Sequence, residues 1–280
     1  MIVRVFPGKK TVDFKKVEFI RIPLRLGDDV FTQGKIESEK KKLFIMSMQA
    51  FKLIMDIHGV QHYLACATSA MREAQNGKSI TDTVRKKFDL KINIISGEEE
   101  SRLILQSVME SIKSKGNFIL IDVGGGSTEI TFIHNGVPRE SRSFPLGTVR
   151  LMDGQVKMEI WEEMEKWVSK QASPFKKIRA LGTGGNISKL YRMSGSQQKA
   201  EYMSITQLQN LLSKIEALPI KERIYRLRLN PDRADVIEHA ALIYLKIMQW
   251  AHVSEIITPQ AGLKEGLILE IYNKVSSQKK

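Results

Sequence analysis

The segment FILIDVGGGSTEITFIHNG, residues 118–136, sets three consecutive glycines between two apolar runs. Each run has the length and composition of a buried strand. A chain gives up side chains in such a place where it must turn tightly or where something must approach its backbone. Residues 118–123 and 129–136 therefore predict two strands joined by a wide glycine hairpin. A G-x-G-x-x-G loop would open a helix. Here a strand follows and no third spaced glycine is present, which argues against a dinucleotide site of that kind. The pattern G-x-x-x-x-G-K-[ST] is absent as well.

Successive amides at Gly124, Gly125 and Gly126 can form an anion-binding concavity, because no Cβ blocks the approach. Ser127 and Thr128 add hydroxyl donors. Asp122 and Glu129 would oppose an anion directly, and they make sense with a divalent cation between them and a phosphate. Magnesium takes one or two carboxylates, waters and substrate oxygens. The plainer alternative is a glycine hairpin with solvated acids. A second turn, GTGGN at 182–186, runs from strand to helix. Amides at Gly184 and Gly185 would point along the helix axis, where the dipole favours an anion. Alone, that turn reads nearly as well as an ordinary loop.

SGEEESRL puts Glu98, Glu99 and Glu100 at the start of a helix, where acids are stabilised by the dipole in any case. A functional reading needs one of them to face a cleft and orient a water. Adjacent helix positions point about 100° apart, so the three cannot share one site. Arg72 follows a strand end, where open α/β sheets place ligands, and could hold a phosphate in a bidentate fork. Arg223, Arg226, Arg228 and Arg233 read either as a rail for a long polyanion or as a solvated face. His58 and His62 are interrupted by Gly59 and lack a third ligand, so no zinc site is expected. Cys66, the single cysteine, reads as a buried small hydrophobe.

The remaining pattern is α/β throughout. Strands are expected at 1–6 and 16–26 around a PGKK turn, then a helix at 37–59 and a strand at 62–68. A helix at 81–88, a strand at 91–96 and the acid-led helix complete a first half. After KSKGN the pattern restarts with the glycine hairpin, and PRESRSFPLG carries a third strand. A helix at 159–170, a strand at 177–182 and a mainly helical stretch to Trp250 follow. A strand at 254–260 and a closing helix end the chain. The hinge is expected near Lys113–Gly116. Net charge is +13 and the pI about 9.7, which favours polyanionic partners. No aromatic-interleaved basic stretch or nucleic-acid module supports nucleic acid as that partner. No apolar run approaches the roughly 18 residues of a membrane helix. MIVRVFPGKK lacks the pattern of a secretory signal, and one cysteine allows no internal disulfide, so a reducing cytoplasm is expected.

The segments ATSAMREAQNG, IISGEEESRLI, LIDVGGGSTEI, FPLGTVRL, LGTGGN, RADVI and TPQAGLKEGLI occur in this order. Together they resemble the exopolyphosphatase / guanosine pentaphosphate phosphohydrolase family. The resemblance implies an α/β fold of two ribonuclease H-like, actin-like domains with an interdomain cleft. It implies a first domain of residues 1–115 plus 265–280 and a second of 116–264. The implied reaction is magnesium-dependent attack of water on the terminal phosphoryl group of inorganic polyphosphate, or removal of the 5′-γ-phosphate of guanosine pentaphosphate. By position the catalytic glutamate falls on Glu100, with Glu99 the neighbouring alternative. Asp122 and Glu129 match the acids of the second phosphate turn, and Gly124–Thr128 match the turn itself. A homodimer is implied by the family alone. Members open on a strand and a first phosphate turn, D-x-G-S-N-S, whereas MIVRVF resembles the strand after it. The resemblance therefore implies a start upstream of Met1, and a non-catalytic polyphosphate-binding protein is the alternative if that turn is missing. His239 and Ala240 stand where the family commonly has proline and glycine.

Overall fold

The computed structural model describes residues 1–6, 13–112, 116–195 and 202–277. By internal contacts the chain divides into two compact units, Met1–Ser96 with Lys264–Lys280, and Gly97–Leu263. The division falls ahead of the acid-led helix. The expected hinge at Lys113–Gly116 lies largely outside the described residues, as does the PGKK turn.

In the first unit β1 (Ile2–Phe6) pairs antiparallel with β2 (Asp13–Glu18). The strand expected over 16–26 is corrected here: it stops at Glu18, and Leu26–Gln33 forms α1. Arg25 enters α1 with φ 52°, and Gly34 closes it with φ 74° and an amide bonded to the Val30 carbonyl. α2 (Ser38–Ile57) buries Phe44 and Ser47. β3 (Ala65–Ala67) runs parallel to β4 (Ile92–Ile94), with α3 (Ser69–Glu73) and α4 (Gly77–Phe88) in the crossover. Val30, Ile36, Phe44, Met71, Ile80 and Val84 form the core of this unit. Cys66 on β3 is half-buried rather than fully buried as expected.

The second unit opens with α5 (Gly97–Ser111) and a meander of β5 (Phe118–Val123), β6 (Thr128–His134) and β7 (Val137–Phe144). α6 (Thr148–Met152) and α7 (Met158–Ala172) lead to β8 (Arg179–Thr183) and α8 (Gly185–Met193). β9 (Tyr202–Ser204), α9 (Ile205–Glu216), α10 (Ile220–Arg226), α11 (Pro231–Ala234), α12 (Ile237–Trp250) and β10 (Glu255–Ile257) follow. The chain closes with α13 (Leu263–Ser277). The sheet has the order β7-β6-β5-β8-β10-β9. β5, β8 and β10 run parallel, while β6 and β9 run antiparallel to their inner neighbours.

Why β5 sits at the centre follows from its residues. FILIDV is apolar on both faces until its last turn, as a strand covered on both sides must be. Ile119, Ile121 and Val123 face a core with Phe132, Met164, Leu208 and Tyr244. Phe118 and Leu120 face the other way, onto Ile104 and Val108 of α5. The single polar residue of the run, Asp122, has the parity of Phe118 and Leu120 and so shares the α5 face.

Candidate active site

Four strands bring polar side chains into one row beside the glycine hairpin. Glu129 is opposite Asp122 across β5 and β6, Ser143 is opposite Glu129 across β7, and Thr183 is opposite Asp122 across β8. Residues paired in this way share a face, and strand alternation puts the row on the face that α5 covers. Glu129 is buried, and its Oε1 accepts from Ser127 Oγ at 2.6 Å and Ser143 Oγ at 2.9 Å. Asp122 Oδ1 accepts from Thr183 Oγ1 at 2.8 Å. Two carboxylates directly opposite each other repel, and a cation between them relieves the repulsion. Among the described residues no group of three or more His, Cys, Asp or Glu could hold a metal. A divalent ion here would have to complete its shell with water and substrate oxygens, as magnesium does.

The hairpin is held from its carbonyl side. Thr148 and Val149 amides donate to the Gly124 and Gly125 carbonyls at 2.9 Å, and Arg150 Nε donates to the Gly126 carbonyl at 2.8 Å. Thr128 Oγ1 donates to the Leu146 carbonyl. On the amide side, Gly124 donates to the Ser127 carbonyl at 2.9 Å, so one of the three amides expected to be available to an anion is already engaged. The Gly125 and Gly126 amides have no acceptor among the described residues. The start of α6 presses on the same turn: a Cβ on Gly147 would lie 2.4 Å from the Gly125 carbonyl oxygen and 2.5 Å from the Gly126 nitrogen.

The second glycine turn meets the row at its other end. Gly184 has φ +94°, and a Cβ there would come 2.9 Å from Asp122 Oδ1. It is the N-cap of α8, and no side chain caps that helix. The first amides of α8 therefore stand where a helix accepts an anion. Arg233 Nη2 would lie 2.8 Å from a Cβ on Gly185, and Lys189 donates to the Arg228 carbonyl at 3.2 Å. Burial, with Arg192 and Arg233 nearby, pushes the Lys189 ammonium down from its ordinary pKa.

Sequence patterns did not reveal Tyr244. It is fully buried on α12, donates to the Thr183 carbonyl at 2.8 Å and accepts from the Val123 amide at 3.3 Å. One hydroxyl thus ties the ends of β5 and β8, the strands that lead into the two glycine turns. Burial first, then the Asp122 charge, raises its pKa well above the ordinary tyrosine value, so it stays protonated as a donor. Ser143, Thr183 and Gly147 were missed too. Only strand pairing exposes the first two, and only the packing of α6 exposes the third.

α5 carries the acid cluster on the face of the row. Its first residue, Gly97, begins against that row: a Cβ there would be 3.3 Å from Ser143 and 3.9 Å from Glu129 Oε1. Glu98 is exposed, while Glu99 and Glu100 are half-buried. Arg102 grips Glu99 in a two-bond fork at 2.8 and 2.9 Å. Arg72 belongs to the first unit, where its Nη1 donates to the Ile95 carbonyl at 2.8 Å. Of the four arginines in the expected rail, Arg223 is buried and bonded to Leu218, Ala234 and Glu238, so it is part of the core packing. Arg226 pairs with Glu222 on the surface. Arg228 is exposed and Arg233 half-buried beside the second turn.

A sheet of this order, helices on both faces and two glycine turns at the ends of its central strands define an actin-like, ribonuclease H-like α/β protein. The sequence profile of the Ppx/GppA phosphatase family matches residues 2–275, and the chain belongs to that family. Exopolyphosphatase 1 of Mycobacterium leprae (strain TN) is 26% identical over 269 residues, covering 88% of this chain and 78% of that protein. Guanosine-5′-triphosphate,3′-diphosphate pyrophosphatase of Aeromonas hydrophila is 24% identical over 213 residues, covering 72% of this chain and 43% of that protein. Among solved structures, the Aquifex aeolicus Ppx/GppA family member has a TM-score of 0.74 at 25% identity, covering 97% of this chain and 93% of that one. An exopolyphosphatase from Cytophaga hutchinsonii shares the fold with a TM-score of 0.82 at 20% identity, covering 97% of this chain and 94% of that one.

Proposed function

We propose that this chain hydrolyses the terminal phosphoanhydride of inorganic polyphosphate, releasing orthophosphate, and that guanosine pentaphosphate is a second substrate of the same site. The observation that carries the reading is the Asp122–Glu129 pair at the strand ends that flank Gly125 and Gly126, whose amides have no acceptor among the described residues. Amides without acceptors fit phosphoryl oxygens, and the Gly184–Gly185 turn offers donors for the next phosphate. Asp122 and Glu129 would hold magnesium through one or two carboxylate contacts, and the ion would neutralise phosphate charge. Glu100 takes a proton from the attacking water. The water oxygen bonds to the terminal phosphorus, the bridging P–O bond breaks, and the shortened chain leaves with the bridging oxygen. Glu100 is preferred over Glu99 by its position in SGEEESRL, as the family resemblance implies. Lys189, Arg192, Arg228 and Arg233 keep the rest of the polyanion close. One cysteine and no internal disulfide fit a reducing cytoplasm.

The test is orthophosphate release from long-chain polyphosphate with magnesium. Glu100→Gln is expected to lower turnover by roughly 10²- to 10⁴-fold, the usual worth of a general base, and Glu99→Gln by far less. Equal activity in wild type and Glu100→Gln rejects the assignment of the base. Tight binding of polyphosphate with no release by the wild type rejects the catalytic reading in favour of a binding protein.

A further inference from the structure

A shallow cavity of about 320 Å³ opens in the second unit, lined by Asn117, His134, Arg139, Pro174, Phe175 and Lys176. Asn117 stands just ahead of β5, and His134 ends β6. Each is five residues from the carboxylate of its strand, Asp122 or Glu129, which is roughly 17 Å of extended chain. His134 also has the parity of Phe132, on the face opposite the α5 row. Phe175 stacks on Phe132, with ring centres 6.2 Å apart, and His134 leans against it at 5.6 Å. Asn117 Oδ1 accepts from His134 Nδ1 at 2.8 Å, and Asn135 Nδ2 donates to His134 Nε2 at 3.3 Å. Both ring nitrogens are therefore engaged, and the imidazole offers a ligand its ring surface. Arg139 and Lys176 are exposed, and neither has an ion-pair or hydrogen-bond partner among the described residues.

We propose that this cavity is a second ligand site, one that takes a single nucleotide unit: a planar base on the Phe175 and His134 rings and a phosphate at Arg139 and Lys176. The volume is that of a small-molecule pocket. A flat aromatic surface suits any base, since every base has a π-face. Arg139 supplies a planar fork for phosphate oxygens, and Lys176 a point charge on a flexible stem. No carboxylate lines the cavity, so no lining group repels a phosphate. Inorganic polyphosphate would meet both cations and gain nothing from the rings. A neutral aromatic molecule would use the rings and leave both cations idle. A base joined to a phosphate uses the whole lining. The length of β5 and β6 separates this site from the Asp122–Glu129 pair, so it is distinct from the one that cleaves phosphoanhydrides. A free nucleotide and one residue of a single strand share this chemistry.

Calorimetric titration of the full chain with adenosine 5′-monophosphate, without magnesium, tests the proposal. The monophosphate is expected to bind, with adenosine and inorganic phosphate each weaker by roughly tenfold or more. Arg139→Glu combined with Lys176→Glu alters exposed side chains and should weaken the monophosphate by roughly tenfold, with an unchanged circular dichroism spectrum. Phe175→Leu keeps apolar bulk over Phe132 and removes the flat ring. It should weaken the monophosphate and leave the affinity for inorganic phosphate as it was. Lys189→Gln combined with Arg233→Gln, at the second glycine turn, should bind the monophosphate as wild type does. A short oligoadenylate separates the two sources: equal affinity assigns a free nucleotide, and a gain of roughly tenfold over the monophosphate assigns a single strand. Absence of binding by wild type overturns the proposal. So does binding that survives the Arg139 and Lys176 reversals, or that is lost in the Lys189 and Arg233 variant.

Discussion

Tyr244 holds the two glycine turns in register from the opposite side of the sheet. Its hydroxyl has two partners and no access to water. Tyr244→Phe keeps the ring and its packing but leaves a buried carbonyl and a buried amide without a partner. A loss of about 1–3 kcal/mol is expected, measured by urea unfolding, together with slower phosphate release as the ends of β5 and β8 loosen. At His239 the dominant effect is burial, which lowers its pKa below the ordinary 6.5, opposed by Glu238 and reinforced by Arg223. The folded chain keeps this imidazole neutral, while the unfolded chain protonates it near its ordinary value. Below pH 6.5 the unfolded state therefore binds more protons, and stability falls as pH drops from there to the folded pKa. Unfolding midpoints across that range should slope less in His239→Gln than in wild type. Equal slopes would remove His239 from the account.

Among the elements, the α6–hairpin contact is the most exacting. Gly147 has φ −135° and ψ 169°, a backbone that any residue adopts, so its glycine is required by space and not by conformation. Gly147→Ala would place a methyl carbon 2.4 Å from the Gly125 carbonyl oxygen, and rigid backbone must move. About 1–3 kcal/mol of destabilisation is expected, seen as a lower thermal midpoint, and orthophosphate release should fall because the Gly125 and Gly126 amides shift. Had α6 merely capped the turn without positioning it, stability would drop while turnover held. How much was legible beforehand follows from the same physics. β5, β6 and α2 could be read because their apolar residues recur at the period of the element itself. α1 could not: its N-cap, Arg25, is in a left-handed conformation and makes no side-chain cap, so the helix lacks the usual start signal. β9 has three residues inside a helical stretch, too few to show a period. Asp122 and Glu129 could be picked out because they flank the glycines. Thr183 lies 61 residues from Asp122, and Tyr244 lies 121 from Val123, so only the folded sheet unites them.

For the molecule as a whole, charge is the property with consequences at a distance. Forty-four basic residues against 31 acidic give +13, and part of that excess gathers at the second glycine turn. Lys189 is pushed down in pKa by burial and then by Arg192 and Arg233, so these cations repel one another in the free protein. A polyanion laid across them relieves that repulsion and releases its own counterions, a gain that added salt erodes. Affinity for long-chain polyphosphate should therefore fall log-linearly with salt. Lys189→Gln combined with Arg233→Gln should weaken long-chain binding and flatten the slope by about two, one for each lost phosphate contact. Tripolyphosphate, which brings fewer phosphates to this cluster than a long chain does, should lose less affinity from the same pair of changes. The comparison is made by titrating both substrates at several salt concentrations and fitting KM. If the double variant lowered affinity for both lengths equally, Lys189 and Arg233 would act at the reacting phosphate and not along the chain that follows it.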